Sequence, residues 1–331
     1  LQKIIAGSPQ VFSGAGEMKF VEFLSTIRQI YPLTNEQSYQ NYIQFILAAI
    51  KSGVPCTRFL QTNDFELDSG SMDDIERFIG SSHQQIFFSI LDELTIKNSK
   101  ISWLDKSPNN LFFFESIREV LPSAKFICII RDPRDVLASK KTRTLPEHQS
   151  KYDTDVLRYK KLEKKYSPVI DALSWKASTK AIKKMKVEIG ANCKIIKYED
   201  LIANSDGVIL ELCQFLNLDY AKEMLNVEFS NSADHRNKSK GIYTSTVGRY
   251  NKNLNKAEIC IIQRLLIQYL KDFGYNTHKI PFTSWLVSNR YLLSAFWEIV
   301  DRIIARFRLM GPRYFISFTA ITLRKLRTLS R

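Results

Sequence analysis

The chain has 331 residues, of which 44% are hydrophobic and 25% charged. That balance suits a globular protein with a large core and excludes disordered and fibrous classes. Its net charge of +14 calls for an anionic partner such as a nucleotide, an anionic glycan, nucleic acid or a membrane surface.

No unbroken apolar run reaches the roughly 20 residues that span a bilayer. The five cysteines (Cys56, Cys128, Cys193, Cys213, Cys260) are isolated and mostly set in apolar runs. They read as reduced core thiols of a cytoplasmic protein. The four histidines show no ligand spacing, so no metal site is expected.

Leu1 to Ala6 reads as a helix, broken by Gly7-Ser-Pro-Gln. Val11-Phe12 is a short strand, and Gly14-Ala-Gly16-Glu17 turns the chain. Glu17 stands where it can serve as a first-turn acid for the helix that follows. Met18 to Ile30 and Asn35 to Ile50 carry apolar residues at helical spacing. Phe59 to Asp68 reads as loop. Met72 to Ile96 reads as one long helix, with Phe78, Ile79, Ile86, Phe87, Ile90 and Leu91 on its core face.

Ile101-Ser-Trp-Leu is the next strand, and Asp105-Lys106-Ser107-Pro108 is its exit. A lysine there can neutralise charge on a leaving oxygen or stand in a turn on the surface. Asn109 to Leu121 is a helix, and Phe126-Ile-Cys-Ile-Ile130 is a buried strand. Together these three elements predict a βαβ unit.

Arg131 sits at the carboxyl end of that strand. Pro133 suits the first turn of a helix, which carries Ser139 and Arg143 at i and i+4 on one face. A cation at a strand end, followed by a helix N-terminus, is anion-binding geometry. One phosphate can meet Arg131, the Ser139 hydroxyl and Arg143. The plainer reading pairs Arg131 with Asp132 or Asp135.

Lys151 to Tyr166 and Asp171 to Glu188 read as charged helices with solvated faces, the second carrying Leu173, Trp175, Ala177, Ile182 and Val187. Lys194 to Tyr198 is another buried strand. Asp206 to Leu216 is an amphipathic helix. Asp234 to Arg249 is a basic loop, and Asn255 to Phe273 a helix. From Trp285 onward, nine Lys or Arg stand against two acids, half of the chain's positive excess. Apolar residues recur there at helical spacing, which fits a basic amphipathic helix on an anionic membrane, on the main domain or on a second subunit. A nucleic-acid role has no motif behind it.

Arg131-Asp-Pro-Arg-Asp-Val-Leu-Ala-Ser139 resembles the 3′-phosphate motif of sulfotransferases that use 3′-phosphoadenosine 5′-phosphosulfate (PAPS). The tyrosylprotein and bacterial carbohydrate branches are the most similar. Trp103-Leu-Asp-Lys-Ser-Pro108, Lys197-Tyr-Glu-Asp-Leu201 and Gly241-Ile-Tyr-Thr-Ser-Thr-Val-Gly-Arg-Tyr250 agree in order and spacing. The resemblance covers about residues 1–275.

The resemblance implies an α/β fold: a P-loop-NTPase-like parallel sheet with helices on both faces. Residues 1–280 would form this domain and 281–331 a basic helical extension. It implies sulfuryl transfer from PAPS to a hydroxyl of a carbohydrate, lipid or other acceptor. Arg131, Ser139 and Arg143 would hold the 3′-phosphate, with Tyr198, Ser239 and Arg249 assisting. Glu17 would be the general base, and Lys106 would stabilise the leaving group.

Relatives open with a strand and a Gly-x-x-Arg-Ser-Gly-Thr-Thr loop for the 5′-phosphosulfate. This chain matches them from just after that loop, so an N-terminally truncated, incomplete donor cradle is expected. The alternative function is a non-catalytic nucleotide-binding or membrane-surface protein, cytoplasmic or peripheral to the inner face of the membrane. A P-loop kinase needs a Gly-x-x-x-x-Gly-Lys-[Ser/Thr] loop that the sequence lacks.

Overall fold

The computed structural model describes residues 1–13, 17–52, 75–143, 165–226 and 247–330. The chain divides into two units. The first comprises Leu1–Lys125, Ile209–Val227 and Ile316–Thr322, and the second Phe126–Val208, Glu228–Phe315 and Leu323–Arg331.

The first unit starts with α1 (Gln2–Ala6) and β1 (Val11–Ser13), and continues with α2 (Leu24–Ile30) and α3 (Glu36–Ser52). After α4 (His83–Lys97) comes β2 (Ser102–Leu104), which pairs with β1 in parallel and in register from Val11↔Ser102 to Ser13↔Leu104. A short α5 (Phe114–Val120) follows. Aromatic packing fills this unit. Phe20 stacks on Phe87 at 3.8 Å between ring centroids, Phe87 meets Phe88 edge-on, and Phe88 stacks on Trp103. Tyr42, Phe45, Ile46 and Ile86 are fully buried beside them. Such a core is held by apolar burial and ring geometry together.

The long helix expected from Met72 to Ile96 is corrected by the structure. Residues 76–78 make a short 3-10 turn, Gly80 takes φ +85°, and α4 begins only at His83. Ser82 caps it: its hydroxyl accepts from the Gln85 amide, and the Gln85 side chain accepts from the Ser82 amide. Ser-x-x-Gln is a capping box, and it outweighs the continuous helical spacing. Ser82→Ala is expected to lower stability by about 1 kcal/mol, read as a fall in Tm; an unchanged Tm would reject the cap.

The second unit is built on β3 (Phe126–Ile130) and β4 (Cys193–Lys197), parallel and in register from Phe126↔Cys193 to Ile130↔Lys197. Between them run α6 (Pro133–Arg143) and α7 (Pro168–Ile189). Ser167 caps α7 by accepting from the Ile170 amide, and Pro168 opens its first turn. α8 (Tyr198–Ala203) leaves β4 directly, and α9 (Ser205–Leu216) follows, its residues from Ile209 on counting with the first unit. α10 (Tyr250–Asn253) and α11 (Lys256–Asp272) come next, α11 with an Asn255–Glu258 capping box. α12 (Phe282–Ser330) ends the chain as one helix. Leu137, Ala138, Ala177, Met185, Ile262, Leu266 and Leu270 are buried in this unit.

The strands are parallel, and helices dominate. Where one parallel sheet was expected, the described residues form two two-stranded sheets, β1-β2 and β3-β4. The βαβ unit expected from 101 to 130 is therefore not a pairing in the structure. β2 pairs with β1, and β3 finds its parallel partner in β4. Cys128, Cys193, Cys213 and Cys260 are free and buried; Cys56 lies outside the described residues.

Candidate active site

Two parallel strands that end in register place the next residue of each side by side. β3 and β4 stop at Ile130 and Lys197, so Arg131 and Tyr198 follow as neighbours. The Arg131 guanidinium lies over the Tyr198 ring, 4.5 Å from its centroid. Stacking occupies the flat face of the guanidinium, and its N–H donors point outward in the plane of the group. Trp175 Nε1 donates to the Arg131 carbonyl at 3.2 Å. This fixes the backbone at the strand end.

A cleft of about 310 Å³ opens here, lined by Arg131, Tyr198, Trp175, Ser178, Thr179 and the apolar residues of β3 and its neighbours. That lies at the lower end of small-ligand pockets, about 300–1,000 Å³. The fully buried strand expected from its apolar run is open on this side: Ile129 is 42% exposed because its side chain forms a cleft wall.

The Arg-Asp-Pro-Arg-Asp run divides its labour. Asp132 does not pair with Arg131. Its carboxylate takes the Nε and Nη2 of Arg134, the closer contact at 2.6 Å, and the Arg134 amide at 2.8 Å. Arg134 is 2% exposed, donates to Gln263 Oε1 at 3.3 Å and lies 4.4 Å over the Tyr250 ring. Burial opposes its charge, but the hydrogen bonds and charge of Asp132 hold its pKa above the ordinary arginine value.

Asp135 accepts from the amides of Gly248 at 2.7 Å and Tyr250 at 2.9 Å. Burial raises its pKa, and those two amides oppose the rise. The pair of bonds brackets Arg249 and fastens it to the first turn of α6. The Asp132 amide in turn donates to Glu199 Oε1, whose other oxygen accepts from the Tyr275 hydroxyl. Burial and the neighbouring Glu199 charge push the Tyr275 pKa well up, so that hydroxyl keeps its proton to donate.

Ser139 is half-buried and Arg143 exposed on α6. Val136, three residues before Ser139, lines the cleft, so Ser139 and Arg143 continue along that side of the helix. The other cations of α6 hold ion pairs: Lys140 with Asp171 at 2.5 Å and Lys141 with Glu258 at 2.7 Å. Ser239 lies outside the described residues.

In the first unit, Glu17 and Lys106 follow the ends of the paired strands β1 and β2. The Lys106 ammonium donates to Glu17 Oε1, and Lys19 stands 3.8 Å from the other oxygen. Both side chains of the Lys106–Glu17 pair are partly exposed. The turn beneath them is fixed. Ser107 Oγ accepts from the Lys19 amide and donates to Asp105, which also accepts from Asn110. Burial raises the Asp105 pKa, and its hydrogen bonds oppose the rise.

The sequence reading missed the α7 contribution to the cleft. Trp175, Ser178, Thr179 and Ile182 line it at spacings of three, one and three residues, one face of a helix. The pattern read from the sequence grouped Trp175 and Ile182 with Leu173, Ala177 and Val187, and of these Val187 is 85% exposed. Polar Ser178 and Thr179 on an apolar face were the available signal.

The model of the Sulfotransferase family matches residues 1–222. The chain belongs to the sulfotransferase family. The match covers β1 to β4, the strand ends that carry Glu17, Lys106, Arg131 and Tyr198, and all of α6. Two solved structures are similar to this sulfotransferase chain. The sulfotransferase domain from the curacin biosynthetic pathway is 16% identical, with 84% of this chain and 93% of that chain covered at a TM-score of 0.45. The sulfotransferase domain of the Synechococcus PCC 7002 olefin synthase is 17% identical, with 84% and 90% covered at a TM-score of 0.49. No curated protein sequence matches significantly.

Proposed function

We propose that the chain transfers a sulfuryl group from PAPS to a hydroxyl of a carbohydrate, lipid or other acceptor. Residues 1–280 carry this function and 281–331 are an extension. The observation that carries the reading is the Arg131 guanidinium stacked on Tyr198 where β3 and β4 end together. Family membership supports it, since sulfotransferases in general use PAPS.

Arg131, Ser139 and Arg143 take the 3′-phosphate, with Tyr198, Ser239 and Arg249 assisting. A dianionic phosphate suits a planar, permanently charged fork better than a lysine. In the reaction the acceptor oxygen attacks sulfur and Glu17 takes its proton. The bond from sulfur to the bridging phosphate oxygen breaks, and Lys106 meets the charge that remains on that oxygen. The products are the sulfated acceptor and adenosine 3′,5′-bisphosphate. Among the described residues no group of three or more His, Cys, Asp or Glu is placed to hold a metal.

Titration calorimetry with adenosine 3′,5′-bisphosphate and with ATP tests the donor. The bisphosphate is expected to bind more tightly, and a preference for ATP would sink the proposal. Arg131→Ala removes a charge-assisted contact of about 2 kcal/mol, so about thirtyfold in bisphosphate Kd. An unchanged Kd would remove Arg131 from the site.

A further inference from the structure

We propose that the outward face of α12, from Phe282 to Ile304, seats this protein on an anionic lipid bilayer surface. This stands apart from the sulfuryl-transfer reading and would survive its failure.

α12 is turned inside out for a helix packed on a soluble domain. Phe282, Leu286, Leu293, Phe296, Trp297 and Ile304 are 49% to 77% exposed. Their spacings of four, seven, three, one and seven residues keep them on one side of the helix. That row is about 33 Å long at 1.5 Å per residue. The opposite side is small or polar, and it is the side held by the rest of the second unit. Ser288, Ala295 and Ala305 are buried. Arg264 donates to Ser288 Oγ and Asn289 Oδ1, both at 2.8 Å, and its guanidinium faces the Trp285 ring. Arg302 lies 3.5 Å from Asp171 and donates to the Lys165 carbonyl. These bonds fix the rotation of the helix, so the aromatic row cannot turn inward.

Charge selects the occupant. Between Phe282 and Ile304, Arg290 and Arg302 balance Glu298 and Asp301, and the positive excess follows directly in seven Lys or Arg from Arg306 to Arg331 with no acid among them. Arg290 and Arg308 are exposed, and the one exposed acid of this stretch is Asp301. The charge an occupant must answer is this cationic run beside the row. Anionic headgroups complement it. Phe and Trp on one side of a cationic helix match the boundary between headgroups and acyl chains. Among the described residues no helix is long and apolar enough to cross a membrane, so the helix lies on the surface.

Cosedimentation of the full chain with phosphatidylcholine vesicles, with and without phosphatidylglycerol, tests this. Binding to the anionic vesicles is expected to be about tenfold or more stronger than to the neutral ones. The double substitution Phe296→Ser, Trp297→Ser changes exposed positions and is expected to weaken anionic-vesicle binding about tenfold or more. Circular dichroism and Tm of the double variant should match the parent. If those fail, Leu293→Ser with Ile304→Ser, on the same row, gives the same reading. Equal binding to both vesicle types, or equal binding by parent and folded variant, would overturn the proposal. So would a parent that sediments as a dimer without lipid and a folded variant that sediments as a monomer, since a second copy would then be what covers the row.

Discussion

Arg134→Ala is expected to cost about 3–5 kcal/mol of folding stability, because it strands the buried Asp132 carboxylate without its partner. The side chain is almost wholly enclosed. It meets Asp132 through two nitrogens, Gln263 through a third, and the Tyr250 ring through its flat face. No water can replace those contacts cheaply at such a depth. Replacing both partners with apolar residues, as in Asp132→Leu with Arg134→Met, is expected to recover part of the loss, since no charge is then left alone. Urea denaturation of the two variants and the parent gives the comparison. A single variant that unfolds at the parent's urea concentration would show that this pair does not hold α6 in place.

Glu17→Gln is expected to reduce kcat about a hundredfold or more, with bisphosphate affinity unchanged. The substitution keeps the shape and an oxygen for Lys106 but removes the ability to take a proton. Lys106→Ala should lower kcat by about a hundredfold as well, as for the loss of one donor to a developing oxyanion. The two side chains bond to each other, so the double variant should lose less than the product of the two single losses. Steady-state transfer from PAPS, with calorimetry of the bisphosphate alongside, separates chemistry from binding. Full activity in Glu17→Gln would end its candidacy as the base. A weakened bisphosphate with unchanged kcat would move Glu17 from proton transfer to donor binding.

What the sequence disclosed was local. A run of five apolar residues ending at an arginine, a proline two residues on, and a serine and arginine one turn apart sufficed to place β3, Arg131 and α6. Lys194 to Tyr198 likewise gave β4 to within a residue at each end, but not the helix that begins at Tyr198. The partners of these elements were hidden. β2 and β3 are joined by one short helix, which made a βαβ unit look natural, but pairing depends on contacts far along the chain. The choice of β4 as the partner of β3 has no trace in the spacing. Asp132 and Asp135 posed the same difficulty. Sequence proximity offered Arg131 to both, but Asp132 holds Arg134, and Asp135 turns to amides more than 100 residues away. The capping box at Ser82 was legible and outvoted by periodicity. The α7 wall of the cleft was missed because a helix rich in lysine reads as solvated, although only one of its sides is.

The in-register ending of β3 and β4 turns chain length into a constraint on chemistry. Successive side chains of a strand point to opposite faces, so inserting or deleting one residue in 126–131 or 193–198 would reverse either Arg131 or Tyr198 and separate the two. Lineages of this protein can therefore exchange residues inside these strands freely, Ile for Val or Cys for Ala, but gaps there should be purged. Drift in composition and conservation of count would coexist within the same few residues.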